Sequence, residues 1–239
     1  MYQKTRGIVL HTIKYSDTSV ISKIYTEKFG LVSYMVKGVR TSKSKAKASL
    51  LQPFTLLEME VTNRENRQLQ FIKEFRRAYN YHSVPFDTLK STIALFLLEV
   101  ISKSIREHEG NMEMFEFIYE TCCALDSAEK LNPVFPLLFL VHFTRYLGFA
   151  PHGNFSEKNC FFEMSEGVFR ASENTSYVLN KEDSKLLSEL SQTSLFDPSN
   201  VRVPKKERKQ MLSHLIRYYQ FHLENFSLKS PEILEDILG

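Results

Sequence analysis

Residues 7–37 read GIVLHTIKYSDTSVISKIYTEKFGLVSYMVK, and this stretch decides the fold. It holds three short runs, 7–13, 20–26 and 31–37, rich in Val, Ile, Thr and Tyr. Turn residues separate them: Ser16-Asp17 and Phe29-Gly30. β-branched and aromatic residues between polar turn signals predict strands. Along 20–26, Val20, Ser22 and Ile24 alternate with Ile21, Lys23 and Tyr25, and both faces carry apolar residues. Two further runs, 54–61 and 68–75, follow after Gly38 and around Asn63 and Asn66. Five strands in about 80 residues fit a small closed barrel of the OB type, with an SH3-like barrel as the competing closure. The 38–52 connection lies where an OB barrel carries a helix or long loop.

After Pro85 the hydrophobic period lengthens. Leu89, Ile93, Leu97, Val100 and Ile101 recur at helical spacing through 86–107, apolar on enough sides to predict a central helix. A second helix spans 112–125. A third has Asn132 as N-cap, Pro133 in its first turn and Gly148 just past its end. Asn180 opens a fourth with acids in its first turn, and 204–226 makes a fifth. Between the third and fourth, 151–178 is irregular, with strand-like pairs at Phe161-Phe162 and Val168-Phe169 around Gly167. Strands first and helices after predict an α+β chain: a barrel domain over 1–80 and a helical domain over 81–239, with an insertion at 151–178.

The chain has 239 residues, 43% hydrophobic and 25% charged, enough apolar material for packed domains. No apolar run reaches the roughly 20 residues that span a bilayer, and residues 1–7 lack the pattern of a secretory signal. Three cysteines, Cys122, Cys123 and Cys160, cannot form a disulfide framework, so a cytoplasmic location is expected. The net charge of +3 conceals an asymmetry. Residues 1–82 hold 15 Lys and Arg against 6 Asp and Glu, and 83–239 hold 16 against 22. No acid occurs between Glu27 and Glu58, while Lys28, Lys37, Arg40, Lys43, Lys45 and Lys47 accumulate. A front half facing a polyanion follows from that split, against the plainer reading of a solvated run of lysines.

No phosphate-binding glycine loop, HExxH or GxSxG motif is present, and the seven histidines show no tight ligand spacing. His152 and Cys160 supply at most two metal ligands where a closed zinc site needs four. No enzyme, cofactor or metal is therefore expected; a metal-dependent nuclease is disfavoured because the basic half has no acidic cluster. The segment 37–47 mixes Lys and Arg with Ser and Thr, which supplies charge and hydrogen-bond donors for phosphate oxygens. The expected nucleic-acid contacts are Arg6, Lys14, Tyr15, Lys37, Arg40, Lys43, Lys45 and Lys47. Of the nearby aromatics Tyr15, Tyr25, Tyr34, Phe54 and Phe71, Tyr15 is the best base-stacking candidate, and Phe54 and Phe71 are expected in the barrel core. A second basic run, 205–209, opens the last helix; a solvated surface run is the plainer reading and a site for an acidic partner the sharper one.

Residues 7–40, the LLQPFTLLEME element from Leu50, PLLFLVHFTRYLGFAPHGN at 136–154 and RYYQFHLENFSLKSPEILEDIL at 217–238 resemble the RecO family of bacterial recombinational repair proteins. The resemblance spans essentially the whole chain. It implies an amino-terminal OB barrel, a helical domain and a zinc-finger-like insertion. It also implies a non-enzymatic, nucleoid-associated mediator that binds single- and double-stranded DNA and anneals complementary strands, which makes the expected nucleic-acid contacts DNA contacts. The implied partners are the acidic tail of single-stranded-DNA-binding protein, RecR and, indirectly, RecA. Many family members carry four cysteines in the insertion; this chain keeps Cys160 alone, so the insertion is expected to be degenerate, metal-free and packed on Phe155, Phe161, Phe162 and Phe169. Arg145, Lys205, Lys206, Arg208, Lys209 and Arg217 are the candidates for the partner tail. A non-catalytic adaptor whose barrel binds RNA or protein is the alternative.

Overall fold

The structure is a computed structural model and describes residues 2–39, 45–64, 67–106, 109–172, 177–198 and 200–230. The chain packs as two compact units, Met1–Ser127 and Ala128–Gly239.

The first unit is built on a closed barrel of five strands: β1 (Tyr2–Lys14), β2 (Val20–Thr26), β3 (Gly30–Val36), β4 (Leu56–Thr62) and β5 (Leu69–Arg77). The neighbour order is β1-β2-β3-β5-β4, with β4 returning to β1. All pairs are antiparallel except β3 with β5. This closure is the OB topology that the strand spacing predicted. β1 starts five residues earlier than its apolar run. Tyr2 to Ile8 pair with β4 and Gly7 to Lys14 pair with β2, and a register shift between Val9 and His11 lies where the strand serves the second partner. Gln3, Lys4 and Arg6 give this first half no apolar alternation, so pairing with β4, not hydrophobic pattern, makes it a strand.

Val9, Ile24, Tyr34, Leu57 and Val61 fill the barrel, and none is exposed above 1%. The 38–52 connection forms a single helical turn, α1 (Lys45–Ser49), and drops Val39, Ala48 and Leu51 into the same core. The Thr12 hydroxyl fixes the plug by donating to the Leu51 carbonyl at 2.7 Å. Phe54 precedes β4 in a left-handed backbone conformation at φ 71°; its buried ring stacks on Tyr81 at 5.5 Å.

Helices α2 (Thr88–Ser104) and α3 (Met112–Ser127) complete this unit. Asp87 caps α2 by accepting from the Lys90 amide, and α3 lays Phe115 against Tyr25 of β2 at 6.0 Å. That contact explains why β2 is apolar on both sides: Tyr25 points out of the barrel, yet is fully buried. At the end of α3 the Asp126 carboxylate accepts hydrogen bonds from the amides of His82, Ser83 and Val84, so the strand-to-helix connection closes around one charge.

The second unit contains α4 (Phe135–Tyr146), the hairpin β6 (Phe161–Glu163) and β7 (Val168–Arg170), α5 (Lys181–Gln192) and α6 (Lys205–His222). α4 starts at Phe135, not at the expected Asn132-Pro133 step, with Pro136 in its first turn. The Asn132 side chain instead donates to the carbonyls of Pro198 and Val201 while accepting from the Val134 amide. α6 ends at His222, four residues short of expectation; Leu223 turns extended and His222 stacks on Phe149 at 4.8 Å. The hairpin turns at Gly167 (φ +69°). Phe162 meets Phe169 at 5.0 Å and Tyr218 of α6 at 5.4 Å, and Phe155 meets Phe169 edge-on at 6.2 Å. Aromatic packing thus holds the insertion. Among the described residues no group of three or more His, Cys, Asp or Glu could hold a metal ion, and no helix is long and apolar enough to cross a membrane.

Candidate nucleic-acid interface

Paired residues on neighbouring strands point to the same side of a sheet, so the register sorts the barrel's outer surface row by row. One row reads Ile13, Ile21, Met35, Phe71 across β1, β2, β3 and β5. At strand spacing it is about 14 Å long. Ile13 is 48% exposed and the other three are half-buried, so among the described residues this row has no cover comparable to that over Tyr25. The adjacent row reads His11, Lys23, Ser33, Leu69, with Lys23 exposed. At the β5 end, Lys37, Lys47, Phe71 and Lys73 surround a recess of about 300 Å³. The Lys37 ammonium lies 5.5 Å from the Phe71 ring centre and that of Lys73 5.2 Å from Tyr2. At the β1 end, Lys14 and the 58%-exposed Tyr15 occupy the turn into β2, which the Ser19 carbonyl closes by accepting from the Tyr15 amide. An apolar row that follows the curved barrel surface and is rimmed by lysines can stack bases and neutralise phosphates together, the combination that single-strand binding uses.

The rest of the barrel's outer surface is charged but balanced. Arg6, Glu58 and Arg76 form one row across β1, β4 and β5, and Lys4, Glu60 and Glu74 the next. Arg76 pairs with Glu58, and Lys73 with Glu60 at 3.1 Å. Glu27 and Lys28 join these rows around a recess of about 670 Å³. Cations that already face carboxylates gain little from a polyanion.

Arg6 is therefore corrected as a phosphate contact. Its guanidinium hydrogen-bonds Glu27 at 3.1 Å, pairs with Glu116 of α3 and lies 5.2 Å from the rings of both Phe115 and Tyr119. Hydrogen bonds to Glu27 and then Glu116 raise the Arg6 pKa further, and the same bond from Arg6 lowers that of Glu27. Its role is to fasten α3 to the barrel. Phe71, expected in the core, faces outward beneath Lys37. Tyr25 and Tyr34 are fully buried and cannot stack on a base. Arg40 and Lys43 lie outside the described residues, as does the side chain of Lys45. Lys14, Tyr15, Lys37 and Lys47, all expected from the sequence, lie beside this row, and Lys23, Ile21 and Met35, which were not, join them. Their signal was the second apolar face of β2, which only the pairing separates from the core.

In the second unit, Lys205 and Lys206 are exposed at the start of α6 and Arg145 is exposed near the end of α4. Lys206 and Arg217 are eleven residues apart on one helix, so they project within about 20° of each other. The Arg217 guanidinium covers Tyr177 at 5.2 Å and Phe221 at 6.0 Å, and both rings are partly exposed. Lys209 is half-buried. Arg208 does not fit the expected ligand set, because it donates to the Val203 carbonyl at 2.5 Å at the helix start.

The family model for Recombination protein O N terminal matches residues 1–81, and that for Recombination protein O C terminal matches 85–232. The chain is 37% identical to a DNA repair protein RecO of Flavobacterium psychrophilum over 100% of both chains. It is 35% identical to one of Bacteroides fragilis and 31% to one of Azobacteroides pseudotrichonymphae, each over 99% of both chains.

Proposed function

The chain belongs to the RecO family, whose curated relatives carry the name DNA repair protein, and from that premise we propose that it is a recombination mediator whose barrel holds DNA on the outer face of β1, β2, β3 and β5. The single observation that carries this reading is the outward-facing apolar row Ile13, Ile21, Met35, Phe71 flanked by Lys14, Lys23, Lys37 and Lys47. Lysines hold the sugar-phosphate chain of single- or double-stranded DNA without reading sequence. A single strand laid along the row keeps its hydrogen-bonding edges free, so a complementary strand can anneal to it. The mechanism breaks no covalent bond and asks for no cofactor. In this reading the barrel, 1–80, carries the DNA, and the helical part that follows it, 81–239, carries the partners.

The acidic, apolar-ended tail of single-stranded-DNA-binding protein suits α6. Lys205, Lys206 and Arg217 offer charge, Tyr177 and Phe221 offer aromatic surface, and Arg145 and Lys209 are further cations of the same unit. Contact with that tail would bring the chain to coated DNA, where RecR and then RecA act in the cytoplasm. The test is annealing of two complementary oligonucleotides coated with single-stranded-DNA-binding protein. Lys23→Glu with Lys37→Glu should slow annealing on bare and coated strands alike, whereas Lys206→Glu with Arg217→Glu should slow it on coated strands only. Equal rates for all variants would overturn the reading. If RNA or a neutral polymer competed as well as single-stranded DNA, the adaptor reading would take its place.

A further inference from the structure

Gln70 stands at the start of β5 with its side chain turned into the barrel, 3% exposed. Its amide uses every hydrogen-bonding position it has. The Nε2 group donates to the carbonyls of Arg64 at 2.7 Å and Arg67 at 2.8 Å. The Oε1 atom accepts from the Arg64 amide at 3.1 Å and faces the Thr62 hydroxyl at 3.3 Å. That hydroxyl in turn accepts from the Phe71 amide at 3.0 Å. One buried side chain therefore ties the two described arginines of the β4–β5 connection to the backbone of the ring that closes the apolar row. The Arg67 amide also donates to the Arg64 carbonyl at 3.0 Å.

Arg64 and Arg67 are exposed, and neither pairs with a carboxylate among the described residues. Arg67 stands two residues before Leu69, the β5 end of the second row. A glutamine suits this position better than a glutamate would. A carboxylate has no donor for the two carbonyls, and its charge would offset that of the arginines it holds.

We propose that Gln70 is a positioning residue that fixes the backbone at Arg64 and Arg67 so that the two arginines extend the phosphate track past Leu69. The inference rests on the proposed DNA-binding face. With both arginines engaged, the track runs from Lys14 and Lys37, at one end of the paired strands, past Lys23 and Leu69 to Arg67 and Arg64. Gln70 touches no ligand itself; it removes the freedom that two long side chains on a loose loop would otherwise lose on binding.

Single-stranded DNA binding is measured between 50 and 200 mM salt for the full chain, for Arg64→Ala with Arg67→Ala, for Gln70→Met, and for all three substitutions together. Each phosphate contact contributes about 0.7 to the slope of log affinity against log salt. The arginine pair should therefore lower the slope by about 1.4. Gln70→Met should lower it by a comparable amount. The combined variant should match the arginine pair, because a positioning residue has nothing left to position. A Gln70→Met effect that persists undiminished without the arginines would assign Gln70 a purely structural role and overturn the proposal. If Gln70→Met fails to fold, the arginine pair and hydrogen exchange at the Arg64 amide carry the test. An unchanged slope, or exchange at Arg64 as fast as at an unprotected amide, overturns it. Lys23→Ala and Lys37→Ala, measured alongside, separate this outcome from failure of the face itself: they lower the slope whatever happens at residues 64 and 67.

Discussion

Replacing Asp126 by asparagine tests how the first unit is held together. The carboxylate is 3% exposed at the end of α3. It accepts from the amides of His82 at 2.9 Å, Ser83 at 2.9 Å and Val84 at 2.8 Å, from the Ser83 hydroxyl at 3.2 Å and from the Tyr79 hydroxyl at 3.2 Å. Burial pushes its pKa up, but the bonds from Val84, His82 and Ser83 outweigh burial and bring it from the usual 3.8 down to about 2. That depression makes the ionised form worth about 2–3 kcal/mol of stability. The asparagine amide would also turn an NH₂ group toward N–H donors, leaving at least one amide unsatisfied at about 1–3 kcal/mol. Asp126→Asn should therefore lose about 3–5 kcal/mol at pH 7. Because the folded pKa lies below the unfolded one, the wild-type contribution is complete above about pH 4 and disappears as the pH falls through about 2. The gap between wild type and variant should be flat from pH 7 to 5 and narrow below 4. Urea denaturation followed by far-ultraviolet circular dichroism measures both quantities. A gap below about 0.5 kcal/mol at pH 7, within the range of ordinary surface substitutions, would refute the reasoning, as would a gap that persists unchanged to pH 2.

Three further substitutions separate binding from architecture. Phe71→Ala should weaken single-stranded DNA binding by about 1–3 kcal/mol in a fluorescence titration, with little change in the salt slope, because it removes stacking and no charge. Arg6→Ala should do the reverse: thermal unfolding should show a loss of about 1–3 kcal/mol, since Glu27 and Glu116 lose their shared partner, while DNA affinity per folded molecule stays the same. Phe162→Ala should cost about 3–5 kcal/mol by emptying the aromatic core of the insertion, whereas a zinc chelator should leave the melting temperature of the wild type unchanged.

The strands were legible because Val, Ile, Thr and Tyr cluster between turns, and the helices because their apolar stripe returns every three or four residues. What the sequence could not show is where separate elements meet. Val20 and Ile21 are equally apolar, yet one faces the barrel core and the other the surface; the pairing of Ile21 with Ile13 and Met35 is what tells them apart. The role of Arg6 depends on Glu116, 110 positions away, and no local pattern reveals that pair. Asn132 has the composition of an N-cap, but its amide is drawn to carbonyls at 198 and 201, and the helix begins after Val134. The basic half of the chain reads as one field of charge in sequence. In the fold it divides into cations that face carboxylates across β1, β4 and β5, and, beside an apolar row, Lys14, Lys23, Lys37 and Lys47, which pair with no carboxylate among the described residues.

That division is tested most directly by the salt dependence of single-stranded DNA affinity in two matched triple variants. Lys14→Ala, Lys23→Ala and Lys37→Ala together should flatten the slope of log affinity against log salt by about 2, the share of three phosphate contacts. Lys4→Ala, Lys28→Ala and Arg76→Ala remove the same formal charge from the balanced face and should leave the slope near its wild-type value. An equal loss in both triples, or none in the first, would contradict the assignment of DNA to the outer face of β1, β2, β3 and β5.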